Sequence, residues 1–422
     1  MVGNELRVVF IVPAHYSPLT IHHSPLPHQQ TKQNNDKQEM MLSFLKIQFP
    51  GKLVFGNGCL EQLPAEVLQL KPKNVLIVTI EPLLGNIAPL QKQLADENIG
   101  VQVYTGIVQE PGFKDFHQLL NEVKSSSPDI VIGIGGGSVL DVAKLVAAQL
   151  DNEQLLAEYI GIGLLKGRKK KLICVPATSG TGSEVSPNAI LVDGADNQKK
   201  GIISPYLVPD IVYVDPVLTL SVPPQITAAT GLDALVHCME AYTNKFSQPF
   251  IDTLAYEGMQ LIAANLVKAV KQGSDLEARE KVAMGSLLGG FCLGPVNTAG
   301  VHALAYPLGT RFHIAHGLSN AMLLPYVMLY NIPAAEKKYA AVALALGCEK
   351  QATDKLTAEA GVERIRQLIR DCGIPSGLQQ VNIPKESISQ MAIDAMQIQR
   401  LLKNNPREIT EKDAVVIYEA AY

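Results

Sequence analysis

A chain of 422 residues with 47% hydrophobic and 18% charged residues can bury large cores in two or three domains. Its formal net charge of −4 excludes the electrostatic footprint of a nucleic-acid or anionic-membrane binder, and no apolar run is long enough to span a bilayer. Cys59, Cys174, Cys238, Cys292, Cys348 and Cys372 are scattered without a CxxC pair. That pattern argues for reduced, mostly buried thiols in the cytoplasm, and against a disulfide framework or a thiolate metal site.

The first 40 residues stand apart. VVFIVPA (Val8 to Ala14) is too short, and too weakly basic upstream, for a signal peptide, and HHSPLPHQQTKQNNDKQE (His22 to Glu39) is polar and proline-punctuated. Residues 1–40 are expected to be an extension outside the fold, with the patterned chain starting near Met40 and Met41.

From Phe44 to about Leu220, short β-branched runs alternate with helical patterns. VLIVTI (Val75 to Ile80) and DIVIGI (Asp129 to Ile134) are continuous apolar runs, as in strands buried on both faces of a parallel sheet. KLICVPA (Lys171 to Ala177) and PDIVYVD (Pro209 to Asp215) predict two more strands, and APLQKQLADENI and GSVLDVAKLVAAQL predict helices between them. The alternation predicts an α/β fold with a parallel sheet.

Two turns in this half carry binding chemistry. Gly135, Gly136 and Gly137 follow a strand and precede a helix with Ser138 as its expected N-cap. Three adjacent glycines exceed what a tight connection needs, and a helix N-terminus there would favour a phosphate. Ser138 stands where a GxGxxG fingerprint has its last glycine, so this is not a standard Rossmann turn. In VPATSGTGSEVS, small hydroxyls at Thr178, Ser179, Thr181 and Ser183 crowd around Gly180 and Gly182. That loop either wraps a nucleotide or is a polar surface loop. Two such turns at the carboxyl edge of one sheet point to a ligand.

After Pro223-Pro224 the spacing turns helical, through ITAATGLDALVHCMEAY, FIDTLAYEGMQLIAANLVKAV, KYAAVALALG and VERIRQLIRDCG, and strand signals nearly vanish. A domain boundary is therefore expected near residue 222, with an α/β domain over 41–222 and an all-helical domain over 223–422. Gly231 within a helix costs about 1 kcal/mol relative to alanine, which predicts a close approach there.

Asp233 and His237 lie four apart on one helical face. Alone they read equally as a hydrogen-bonded surface pair. GVHALAYPLGTRFHIAHGLSN adds His302, on a helix expected to end by Pro307, and His313 and His316, the latter at the start of the next helix. Imidazole and carboxylate are ligands for iron or zinc, so the cluster predicts a divalent metal. The pattern does not choose between His313 and His316.

GGGSVLDVAK, PATSGTGSE, DPVLT with PPQITAATGLDALVHCMEAY, and HALAYPL with HGLSNAMLLP closely resemble, in order, the signature segments of the iron-containing (group III) alcohol dehydrogenase family. The similarity runs from about residue 44 to the C-terminus. It implies a dinucleotide-binding α/β domain with a parallel sheet, then an all-α metal-binding domain, in a dehydroquinate synthase-like architecture. Its metal ligands would fall on Asp233, His237, His302 and His316, excluding His313. Its cofactor contacts would fall on Gly136, Gly137, Ser138, Asp141, Thr178, Ser179, Thr181 and Lys199. The implied activity is hydride transfer between a small primary alcohol or its aldehyde and NAD or NADP, with Fe(II) or zinc, in a homodimer or larger homo-oligomer.

Two departures from the family pattern bear on mechanism. Many members have a histidine four residues after the His302 position, often invoked in proton transfer; here it is Tyr306, a candidate proton relay whose phenol can still donate or accept a proton but is a poorer base than an imidazole at neutral pH. Several NAD-preferring members have an aspartate where this chain has Ile80, with Glu81 beside it, which leaves NAD versus NADP open. Competing readings are a metal-dependent carbon–oxygen lyase and cyclase resembling dehydroquinate synthase, and a non-catalytic nucleotide-binding module. The lyase would need a cluster of lysines and arginines that the helical half does not show in sequence.

Overall fold

The computed structural model describes residues 44–107, 110–195 and 198–422; the expected extension over 1–40 lies outside them. Among the described residues of the first half there are nine strands: β1 (Lys52–Phe55), β2 (Asn74–Val78), β3 (Gly100–Tyr104), β4 (Ile130–Gly135), β5 (Gly161–Ile162), β6 (Lys171–Pro176), β7 (Asn188–Asp193), β8 (Gln198–Ile203) and β9 (Ile211–Val214). The helices among them are α1 (Leu63–Gln69), α2 (Leu84–Asp96), α3 (Phe113–Val123) and α4 (Gly137–Gln149). Ten helices follow: α5 (Pro224–Thr243), α6 (Pro249–Lys271), α7 (Leu276–Leu293), α8 (Gly300–Phe312), α9 (His316–Asn331), α10 (Glu336–Ala345), α11 (Asp354–Asp371), α12 (Ile388–Met396), α13 (Gln399–Leu402) and α14 (Glu411–Ala420).

Six strands form one sheet in the order β1-β9-β6-β4-β2-β3, and every pairing is parallel. The apolar runs work as their composition demands. Leu76, Val78 and Val131 enter one core with α3 and α4, while Val75, Ile77, Ile130 and Ile132 enter the opposite core with α1 and α2. From β2 the chain steps outward to β3, then returns to β4 and continues to β6 and β9. The winding therefore reverses between β2 and β4, the place where open α/β sheets bind ligands at the strands' carboxyl ends.

A second sheet, β5-β8-β7, contains an antiparallel hairpin over residues 188–203. The sequence pattern predicts no strand there, because β8 (QKKGII) lacks apolar alternation. Asp141 on α4 anchors the hairpin by accepting the Ile190 amide at 2.9 Å.

The helical half has its own core, in which α5, α6 and α7 pack side by side. Pro224 occupies the first turn of α5, where its missing amide costs nothing. A Cβ at Gly231 would collide with Leu266 of α6, which accounts for the mid-helix glycine. Val185, Val212 and Val214 pack on Ala283 and Leu287 of α7, joining the helices to the sheet. Among the described residues no helix is long and apolar enough to cross a membrane.

Two local expectations are corrected. α4 begins at Gly137 with Gly136 as its N-cap, so Ser138 lies inside the first turn. α8 does not stop at Pro307 but runs to Phe312, where His313 adopts a left-handed conformation with φ 56°. Burial of Val301, Ala303, Leu304, Ala305 and Leu308 outweighs the roughly 3 kcal/mol that an internal proline costs.

Candidate metal and nucleotide site

On α5, Asp233 and His237 project from the same face and are buried. α8 brings His302 and the first turn of α9 brings His316. The Nε2 atoms of His237, His302 and His316 lie 3.9, 3.6 and 3.8 Å from Asp233 Oδ1. Asp233, His237 and His302 hold their ligand atoms within 4.8 Å of one another, which suits a divalent ion, and His316 adds a donor beside Asp233. His313 is exposed at the end of α8 and lines a different pocket.

Hydrogen bonds set the imidazoles for this task. His237 Nδ1 faces the Gly180 carbonyl at 3.2 Å, and His302 Nδ1 donates to Glu240 Oε2 at 2.6 Å. Each contact occupies Nδ1 and leaves the Nε2 lone pair pointing inward. His302 Nε2 is buried with no hydrogen-bond partner, a costly state that a bound metal would relieve. Burial would raise the Asp233 carboxyl, but His237, His316 and His302 outweigh it and hold the group well below the usual carboxylate range. Burial depresses His237 and His316 despite Asp233, which favours the neutral, ligating form. For His302, burial is overcome by Glu240 and Asp233, which push it up to about 10; a metal held at Nε2 would displace that proton.

Two supporting residues escaped the sequence pattern. Glu240 sits one helical turn beyond His237, on the same face, and also accepts the amides of Ala299 and Val301 at 2.9 and 2.6 Å. Asn320 stands four residues after His316 and donates to Asp233 Oδ1 at 2.6 Å. Both follow i, i+3 or i, i+4 spacing from a ligand-type residue, so a helical-face count could have found them.

The glycine turn faces this cluster across a cleft of about 190 Å³, lined by Gly137, Ser138, Asp141, Thr181, Lys199, Asp233, His237, His302, Tyr306, His316 and Arg400 among others. No side chain caps α4; the Val139 amide donates to the Gly136 carbonyl at 3.0 Å, which leaves the Gly137 and Ser138 amides to meet an anion. A Cβ on Gly137 would strike Thr181, so the glycine and hydroxyl turns lie in contact. Thr178 approaches Gly136, whereas Ser179 lines separate small cavities. Asp141 uses both oxygens internally, accepting from Ser183 Oγ at 2.5 Å and from the Ile190 amide. The fully buried Lys144 braces the same loop through the Ser186 and Asn188 carbonyls at 3.0 and 2.8 Å. Lys199 pairs with Glu110 and lies 5.6 Å over the Tyr306 ring. Tyr306 is nearly buried, its ring 6.0 Å from that of His316, and its hydroxyl accepts from Arg400 Nη2 at 2.9 Å.

Comparison with known proteins decides what this arrangement belongs to. Residues 50–216 match the iron-containing alcohol dehydrogenase family and residues 227–422 its C-terminal region. Long-chain-alcohol dehydrogenase 1 of Geobacillus thermodenitrificans is 40% identical over 388 residues, covering 90% of this chain and 98% of that protein. The chain belongs to the iron-containing alcohol dehydrogenase family. Among solved structures, a 1,3-propanediol oxidoreductase superposes with a TM-score of 0.86 at 31% identity, over 90% of this chain and all of that one. Sulfoacetaldehyde reductase from Bifidobacterium kashiwanohense, in complex with NAD+, superposes with a TM-score of 0.80 at 27% identity, over 90% and 99% of the two chains. The protein is therefore a metal-dependent alcohol dehydrogenase and aldehyde reductase of the iron type.

Proposed function

We propose that this enzyme interconverts small primary alcohols and their aldehydes by hydride exchange with NAD or NADP, using Fe(II) or zinc held by Asp233, His237, His302 and His316. The observation that carries the reading is the convergence of three imidazole Nε2 atoms on one buried carboxylate oxygen, in the cleft that also receives the uncapped start of α4. Three nitrogens and one oxygen form a donor set that either metal accepts. A divalent ion bound there would supply Lewis acidity toward the alcohol or carbonyl oxygen.

The chain's own residues do the rest. Gly136, Gly137 and Ser138 would hold the pyrophosphate of the dinucleotide, with Thr178, Thr181 and Lys199 along its length. Asp141 acts through the loop it braces, by holding Ser183 and the β7–β8 hairpin in place. The cleft would orient both reactants, which can lower a barrier by several kcal/mol. Tyr306, its ring 6.0 Å from that of His316, would pass the hydroxyl proton. All six cysteines are free and five are buried, which supports a reducing, cytoplasmic setting, and a homodimer or larger assembly completes the reading.

The test is an anaerobic assay of Fe(II)- and Zn(II)-loaded protein with alcohols and aldehydes, followed with NADH and NADPH side by side. Net NADH or NADPH consumption with aldehydes supports hydride transfer and decides against a lyase that reoxidises its own cofactor. His302→Ala should lose metal and turnover together; full activity in that variant would refute the ligand set.

A further inference from the structure

The carboxylates lining the cleft each have a partner. Glu110 has Lys199, Asp141 has Ser183 with Lys144 at 4.0 Å, and Asp233 has Asn320 and the imidazoles. Arg400 differs. Its guanidinium lines the same cleft, half-buried, and no carboxylate pairs with it among the described residues. Its one hydrogen bond there is the donation from Nη2 to the Tyr306 hydroxyl at 2.9 Å. A guanidinium carries five N–H donors in a planar fork shaped for a carboxylate or similar oxyanion.

The position matches the charge. The Tyr306 ring lies 6.0 Å from the His316 ring and 5.8 Å from the Arg400 guanidinium carbon, and all three line one cleft. The cation is therefore within reach of a short substrate whose reacting oxygen sits at the imidazole cluster. A purely aliphatic tail would meet an unneutralised cation there, whereas an acidic tail would meet a fitted donor set.

We infer that Arg400 is a specificity-determining residue that receives a carboxylate or sulfonate group on the substrate, so that this enzyme prefers short acidic aldehydes to neutral aldehydes of the same length. The inference rests on the alcohol dehydrogenase reading above and adds the substrate class.

The experiment measures initial rates of the metal-loaded enzyme at saturating NADH on length-matched pairs: succinic semialdehyde against butyraldehyde, and sulfoacetaldehyde against propionaldehyde. The acidic member of each pair should show the higher kcat/KM. In Arg400→Gln the acidic-to-neutral ratio should fall about tenfold or more, through KM of the acid, and Arg400→Lys should recover part of it. Comparing sulfoacetaldehyde with malonic semialdehyde, a carboxylate of the same spacer length, separates sulfonate from carboxylate as the preferred group. The inference is overturned if the neutral aldehydes are preferred or if Arg400→Gln slows both members equally. It is also overturned if the variant instead weakens NADH binding in a fluorescence titration, which would assign Arg400 to the cofactor. If no aldehyde of either kind is reduced, the dehydrogenase reading itself fails, and the subsite with it.

Discussion

Glu240 accepts the Nδ1 proton of His302 at 2.6 Å and also accepts the amides of Ala299 and Val301 at the start of α8. One carboxylate thus orients an imidazole and caps the helix that carries it. Glu240→Gln keeps the length but removes the charge and one acceptor. Metal affinity should fall about 10- to 100-fold, read by competition with a chromophoric chelator. Unaltered affinity would remove Glu240 from the metal site.

His313 and His316 make a matched control. Both are histidines three residues apart, yet only His316 has Nε2 near Asp233, at 3.8 Å. His316→Ala should release metal on dialysis while His313→Ala retains it, as measured by elemental analysis. Retention in both would point to a site without His316.

Gly317 lets α9 press against α5. A Cβ there would collide with the Ala229 carbonyl, one turn before Asp233. Gly317→Ala should displace His316, weaken metal binding and cost about 1–3 kcal/mol of stability by chemical denaturation. Wild-type stability with full metal occupancy would show that the two helices need no such approach.

Tyr306 and Lys199 line both the metal-side cleft and a neighbouring pocket of about 690 Å³ that includes Thr310, Arg311, Phe312 and His313. Tyr306→Ala should join the two spaces and shift the aldehyde chain-length optimum upward. Tyr306→Phe, which keeps the wall and loses the hydroxyl, should lower kcat without that shift. The comparison fails if both variants show the wild-type length profile.

Glu184 supplies a pH test remote from the metal. Burial pushes its carboxyl up to about 7 from an ordinary 4.5, more than its own backbone amide and Lys144 offset. A folded-state value above the unfolded one means that the native protein binds the extra proton, so stability falls as pH rises from about 4.5 to 7 and stays reduced above. Glu184→Gln should therefore raise the melting temperature more at pH 8 than at pH 5, by an equivalent of roughly 1–3 kcal/mol. An equal effect at both values would mean that Glu184 is ionised throughout.

Much of the architecture was legible because burial on two faces leaves a continuous apolar run. VLIVTI and DIVIGI became β2 and β4 for that reason. The β7–β8 hairpin was not legible, since QKKGII satisfies its ladder through backbone atoms and shows no apolar period. The local proline rule ends α8 at Pro307, whereas burial carries the helix to Phe312. Residue type favours Ser138 as the cap of α4, whereas Gly136 fills that position with no side chain at all.

The ligand-type residues were visible as residue types at helical spacing, since Asp233 and His237 share a face by helix geometry alone. Their partners were a different matter. Glu240 meets His302 across 62 residues, and Arg400 meets Tyr306 across 94. No local period encodes such contacts; they exist only because α5, α8 and α13 are packed around one cleft. Spacing along the chain settles which side chains share a helix face, while the directions in which imidazoles point, and which cation is left without a carboxylate, are settled by packing between helices distant in the chain.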